Sequence, residues 1–348
     1  MPRGNNHTAE RVESSGGLWH PQLEKSASPI RRSMLEAKVP LLIDSANESM
    51  TTKKLDGSGR ERFLDVWQTG GRFWRVISFL LMFCFFLTSA LPSRVSARSF
   101  EVYIHTNYKN QPDLSTYGAK KLRIMPAGNF YSKGQDRQEL PSKNRVIQFV
   151  AGKYNDYTGF LVINIEHWPL ISSDAEVASR VKKFITVLEW VKSAAPKAKV
   201  GYYGVVPHAG FWAAHNFPSH PKYKKWQKNN DRAQALADRV DAFFPSLYPV
   251  DAKQESWVRW ATAQVNEANR LGKGKPVYPF INPRYHSNAY NGLPYKPVPK
   301  DFFALQATTL RNVGAEGVVI WGADNRNKQW SENLPWWQAT KEFLPSLR

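Results

Sequence analysis

From Phe100 to the C-terminus the chain alternates between two hydrophobic rhythms. Short runs rich in β-branched and aromatic residues, several of them apolar on both faces, are followed by longer runs in which apolar residues recur every three or four positions. The first kind predicts strands over Phe100–His105, Arg145–Val150, Phe160–Glu166, Lys199–Gly204, Ala242–Tyr248, Pro276–Ile281 and Gly317–Trp321. The second predicts helices over Asp174–Ser193, Asn230–Val240, Lys253–Leu271 and Lys300–Val313; in the first of these Val177, Val181, Phe184, Val187 and Leu188 share one face. Such alternation implies an α/β fold built of βα units. Roughly seven or eight strands with helical crossovers in about 250 residues is the size of one TIM-type (β/α) barrel, regular or distorted. A doubly wound open sheet is the competing arrangement, but no Gly-rich phosphate loop follows the first strand.

The rhythm is absent from the first part of the chain. Residues 1–72 mix Ser, Gly, charge and scattered prolines without a sustained period, which predicts a disordered tail. Residues 73–92 carry an uncharged apolar run, Val76 to Leu91, near the lower limit for a membrane-spanning helix. Lys53, Lys54, Arg60, Arg62, Arg72 and Arg75 precede it, while only Arg94 and Arg98 follow closely. The positive-inside rule then places the N-terminus in the cytoplasm and residues 100–348 outside, with 73–92 as a signal anchor. Thr88-Ser89-Ala90 and Val95-Ser96-Ala97 also resemble signal-peptide cleavage sites, in which case the domain is secreted.

Charge narrows the partners. The 348 residues hold 48 Lys and Arg against 29 Asp and Glu, a net charge of +19, and the part beyond Ser99 carries 34 against 20. This field favours an acidic glycan, nucleic acid or anionic lipid. No nucleic-acid-binding motif is present, and export of the domain argues against that partner. The one cysteine, Cys84, lies inside the apolar run, so the C-terminal domain contains no disulfide and its core must suffice alone.

In a barrel of this kind the chemistry sits at the C-terminal ends of the strands. Those ends are polar and aromatic here: Asn164-Ile165-Glu166-His167-Trp168-Pro169, Tyr202-Tyr203-Gly204, Pro245-Ser246-Leu247-Tyr248, Phe280-Ile281-Asn282 and Trp321-Gly322. Strand alternation puts Asn164 and Glu166 on one face. A carboxylic acid, amides, phenols and an indole converging on one mouth suit a sugar: an acid/base, polar holders and a flat apolar wall for the pyranose ring. His167, His208, His215, His220 and His286 show neither an HExxH motif nor tight ligand spacing, so no metal is expected, and no cofactor motif appears. Nor is there a Ser or Cys nucleophile motif.

These segments also carry a family resemblance, covering about Phe100 to Trp330. VINIEHWP looks like the strand of the hyaluronidase family that reads D-x-E followed by W-x-P. In the same order, VGYYGVVP resembles its WGxYxFP, FFPSLYP its aLYPSIY, PVYPFINPRY its PVxPYxxxxY, and GAEGVVIWG its GAAGVVxWG. The resemblance implies that Glu166 donates a proton to the glycosidic oxygen and that Tyr203, Tyr248 and Trp321 line the −1 subsite. It also implies that the substrate's own N-acetyl carbonyl acts as nucleophile, oriented by the residue at the D position. That residue is Asn164 here, and the family's disulfides are missing. An Asn takes up no proton, but its carbonyl oxygen can accept the acetamide N–H.

The reading these residues support is a retaining, substrate-assisted endo-N-acetylhexosaminidase, hyaluronidase-like and acting on an extracellular polysaccharide. Glu166 and Asn164 would be catalytic, and Tyr203, Tyr248, Trp321 and Asn282 would bind substrate. If two protein carboxylates act instead, the partner is Asp251 or Asp324, each just past a strand end. Each residue also has a plainer role: Glu166 in a salt bridge, the aromatics in the core, Asn164 as an amide bridging strands, and Lys222, Lys224, Lys225 and Lys228 as a solvated face. A catalytically silent barrel that binds an acidic glycan at the membrane surface is the alternative from a different class.

Overall fold

The computed structural model describes residues 99–322 and 325–347. The expected tail over 1–72 and the apolar segment over 73–92 lie outside them. Among the described residues no helix is long and apolar enough to cross a membrane.

Among the described residues six strands form, and every ladder between them is parallel. β1 (Glu101–Thr106), β6 (Gly317–Gly322) and β5 (Phe280–Ile281) make one sheet in the order β1-β6-β5. β2 (Arg123–Pro126), β3 (Phe160–Asn164) and β4 (Lys199–Tyr202) make the other, in sequence order. The two ladders do not close into a regular barrel. Single parallel bridges link them instead: Tyr103 with Lys120 on one side, and Tyr203 with Phe244, Phe243 with Val277 and Ser246 with Phe280 on the other. The expected strand Ala242–Tyr248 therefore exists only as bridged backbone. Two glycines permit these close approaches, since a Cβ on Gly201 would lie 2.4 Å from the Ala242 carbonyl oxygen and one on Gly317 would lie 2.2 Å from that of Glu101.

Alternation along the strands separates two cores. Tyr103, Phe160, Val162, Phe244, Tyr278, Phe280 and Val319 form an inner cluster between the sheets, with Tyr203 and Trp321 packed at its edge. The opposite faces of the strands pack with the helices into a larger outer cluster. Both are expected where strands are covered on two sides by apolar side chains.

The helices are α1 (Lys143–Tyr154), α2 (Asp174–Ala194), α3 (Pro221–Asp231), α4 (Gln254–Gly272), α5 (Lys300–Asn312) and α6 (Pro335–Phe343). Two expectations are corrected here. Arg145–Val150 is not a strand but the middle of α1: Val146 and Val150, four residues apart, are both buried, a spacing that fits a helix as well as a short apolar run fits a strand. The predicted helix Asn230–Val240 is broken, because α3 starts earlier, at Pro221, and ends at Asp231 before a separate turn over Gln234–Ala237. Proline at the first helical position and His220 Nδ1 accepting from Lys222 N–H mark that earlier start. Tyr223, Trp226 and Asn230 form the buried side of α3, and Lys222, Lys224, Lys225 and Lys228 are exposed on the other.

α2 opens with a capping box in which Ser173 Oγ accepts from Glu176 N–H and a Glu176 carboxylate oxygen accepts from Ser173 N–H. Ser173→Ala should cost about 0.5–2 kcal/mol of stability, read as a lower urea midpoint with an unchanged slope. α4 holds the loops beyond the strand ends. Trp257 Nε1 donates to Leu247 O at 2.9 Å, Trp260 Nε1 to Ala209 O at 2.7 Å, and Gln264 Nε2 to His208 O at 2.9 Å.

Candidate active site

The site begins at the end of β3. Val162 belongs to the inner cluster, so two residues on, Asn164 faces the same way, level with Pro126 of β2. The chain then turns out of the sheet. Ile165 and Trp168 are buried beside it, and their burial fixes the positions of Glu166 and His167. Trp168 packs edge-on against Phe184 of α2 at 5.1 Å, and its Nε1 donates to Arg137 O at 2.8 Å. His167 Nε2 lies 3.1 Å from the Tyr131 hydroxyl, which in turn donates to Glu139 O at 3.0 Å. Burial, with the Arg137 charge adding to it, lowers the His167 pKa to about 4, so its ring is neutral at neutral pH. The segment that carries Glu166 is thus tied to the loop around residues 131–139.

Glu166 itself is open to solvent at the mouth, yet enough protein surrounds it that desolvation raises its pKa above the usual carboxylate range. The Asn164 side chain, hydrogen-bonded to the carboxylate, acts in the opposite sense. No cation contributes, and among the described residues Glu166 has no ion-pair partner, so the salt-bridge role does not apply there. Asn164 Oδ1 is buried without a hydrogen-bond partner. An orphaned buried acceptor costs about 1–3 kcal/mol, which a bound donor would recover.

The aromatic wall assembles from three other strand ends. Tyr203, just past β4, lies 2.9 Å through its hydroxyl from Ser246 Oγ and packs on Phe280 at 4.9 Å. Burial first, and then the nearby Glu166 charge, push its phenol far above the ordinary value, so it keeps its proton. Tyr203 is 6.0 Å from Tyr248, and Tyr248 stacks on Trp321 at 6.0 Å with an interplanar angle of 13°. The structure therefore pairs Asn164 with Glu166, places Tyr203 within range of the Glu166 charge, and joins Tyr203, Tyr248 and Trp321 by ring contacts. Asn282 is buried beyond β5 with its Oδ1 accepting from Arg284 N–H at 2.9 Å, which makes its carbonyl a turn-former. Asp251 uses its carboxylate in the same way on Lys253 N–H. Asp324 lies outside the described residues.

Two residues at this mouth escape a motif-based reading. Ser246 carries the Tyr203 hydroxyl, and period-2 alternation from Tyr248 is the signal that places it there. His105, in register with Trp321 and on the same face as Tyr103, has its pKa lowered by burial and then by Arg123. A cavity of about 420 Å³ lies elsewhere: Ile104, Thr106, Asp113 and Lys120 line it, on the face of β1 opposite Tyr103 and His105. Among the described residues no cluster of His, Cys, Asp and Glu could hold a metal ion.

No protein-family model matches the chain, and no curated protein matches it with significance. Among solved structures it is similar to bee venom hyaluronidase, with a TM-score of 0.47 and 15% identity over 71% of this chain and 97% of that one. The same enzyme in complex with a hyaluronic acid tetramer gives 0.46 and 15%, over 71% and 96%. β-Methylaspartase from Clostridium tetanomorphum gives 0.33 and 9%, over 72% and 59%. At these scores the likeness is weak, and it decides nothing about chemistry.

Proposed function

We propose that the chain is a glycoside hydrolase, a retaining and substrate-assisted endo-N-acetylhexosaminidase, whose site is the mouth around Glu166. The observation that carries this reading is the unpartnered, buried Asn164 Oδ1 directly beside an accessible carboxyl of raised pKa. An acetamide N–H is the donor that this oxygen lacks. Holding it would turn the acetamide carbonyl oxygen toward the anomeric carbon, while the Glu166 carboxylic acid protonates the departing glycosidic oxygen. Water would then open the resulting cyclic intermediate, with the Glu166 carboxylate taking its proton and the anomeric configuration retained. Tyr203, protonated and anchored on Ser246, and the Tyr248–Trp321 stack would form the wall against which the sugar ring lies.

In the same reading the bridged strands form a distorted (β/α) barrel, and the domain is displayed outside a membrane by the segment over 73–92. The test is reducing-end release by the full chain from a panel of N-acetylhexosamine polymers, with the configuration of the first-formed product followed by NMR. Release with inversion would eliminate the substrate-assisted route.

The pH profile offers an independent check. Asn164 favours the Glu166 carboxylate, so Asn164→Asp removes that hydrogen bond and adds a like charge; both changes raise the Glu166 pKa further. Because the acid must be protonated, the alkaline limb of kcat/KM should move to higher pH in the variant. An unmoved limb would mean that another group supplies the proton.

A second reading has its own support. Asn at position 164 instead of an acid, together with 34 basic against 20 acidic residues beyond Ser99, suits a silent barrel that binds an acidic glycan. Retention of the chain on an immobilised acidic glycan, with no release from any polymer, would select it.

A further inference from the structure

Two half-exposed aromatic side chains stand outside the mouth. Trp212 is 44% exposed and Tyr290 46%, and their rings meet edge to face at 5.3 Å. They come from different loops, after β4 and after β5, so both loops follow C-terminal strand ends, as Glu166 does. Isolated exposed apolar residues need no explanation, but a preformed pair beside a candidate site does.

Both rings are held from below. Trp212 sits in the short helical turn Phe211–Ala214, where Phe211 is buried against Trp260 of α4 at 5.1 Å and Asn216 Nδ2 donates to Trp212 O at 2.8 Å. Tyr290 N–H donates to Val250 O and His286 N–H to Pro249 O, each at 2.9 Å, which bolts their loop to the backbone just beyond Tyr248. Tyr248 also touches the His286 ring, at 6.3 Å. Ring contacts therefore lead from Trp321 through Tyr248 to His286, and the loop that carries His286 also carries Tyr290 and its contact with Trp212.

We propose that Trp212 and Tyr290 form an outer sugar-binding subsite, which stacks a pyranose ring of the glycan several units away from the bond at Glu166. The proposal rests on the glycosidase reading of that mouth and adds to it the length of chain that is recognised. A pyranose presents a C–H face to an aromatic ring and hydroxyls at its edge. Asn216, whose Nδ2 donates to Trp212 O, and the exposed Asn288 are near neighbours of the two rings along the chain and supply polar groups suited to those hydroxyls, while Phe217, 71% exposed, offers a further apolar face. Because the rings are already ordered, binding orders few additional rotors.

The test measures affinity of the full chain for two oligomer series, N-acetylglucosamine and hyaluronan, from disaccharide to octasaccharide, in a Glu166→Gln background so that nothing is hydrolysed. In at least one series affinity should rise with length. Trp212→Ala and Tyr290→Ser should each remove on the order of tenfold, about 1.4 kcal/mol, from the longest oligomer. The disaccharide's affinity should be kept, and Trp212→Phe should restore much of the loss. Unchanged affinity for the long oligomers in both alanine and serine variants would overturn the subsite. So would an equal loss for the disaccharide, an affinity that ignores length, or no binding in either series. Length-dependent binding that Trp212→Ala abolishes, in a chain that releases no reducing ends, would keep the subsite and reject hydrolysis at Glu166. Hydrolysis that Trp212→Ala leaves equally fast on long and short oligomers would do the reverse.

Discussion

Glu166→Gln is expected to lower kcat on N-acetylhexosamine polymers by about 10²–10⁴-fold, the usual contribution of a positioned general acid/base. KM should change little, because glutamine keeps the shape of the side chain and can still meet the Asn164 amide. Glu166 is solvent-exposed and has no ion-pair partner among the described residues, so the variant should melt with the parent. The loss should shrink on a substrate whose leaving group needs no proton, such as a nitrophenyl glycoside, in the first step only. Steady-state kinetics on polymer and nitrophenyl substrates, with thermal melts alongside, check this. A variant as active as the parent on the polymer would remove Glu166 from the mechanism.

Trp168→Ala should be the most damaging single change near the site, costing about 3–5 kcal/mol, the range for deleting a large buried aromatic side chain. Trp168 is 2% exposed and wedges between His167 and Phe184 at 5.2 and 5.1 Å, while its indole N–H satisfies Arg137 O. Removing it leaves a cavity and takes from Arg137 O the shorter of its two hydrogen bonds, the other being from the Tyr131 hydroxyl at 3.5 Å. Because the same segment aims Glu166, activity should fall beyond what unfolding explains. Urea denaturation read together with kcat at a temperature where the variant is folded separates the two effects. Trp168→Phe should recover part of the packing but not the bond to Arg137. A loss under 1 kcal/mol in Trp168→Ala would show that the loop around residues 131–139 does not depend on the indole.

The elements read most easily from the chain are those whose period is unambiguous. α2, α4 and α5 each repeat apolar residues over three turns or more, and β1 and β6 are short runs with no competing helical face. α1 was open to either reading, since Val146, Ile147, Phe149 and Val150 satisfy a strand pattern and a helix face equally. β2 offered only Ile124 and Met125 between Arg123 and Pro126, too few to show a period. Its strand geometry comes from the ladder with β3.

For the site, the residue types at strand ends and their order along the chain were legible: Asn164 and Glu166 by alternation, and Tyr203, Tyr248 and Trp321 by motif. Their meeting was not, because contacts such as Tyr248 on Trp321 join positions 73 residues apart. Sequence alone also determined the charge surplus, the lack of a cysteine beyond Cys84 and the presence of an apolar run before the folded part. Tertiary structure alone decided that the ladders are joined by single bridges, that Asn282 serves a turn, that Asn164 Oδ1 has no partner, and that Trp212 stands against Tyr290. The physical reason is the range of the forces involved. Periodicity and capping act over a few neighbouring residues, whereas burial of one oxygen, or the pairing of two rings, depends on register and packing across the whole fold.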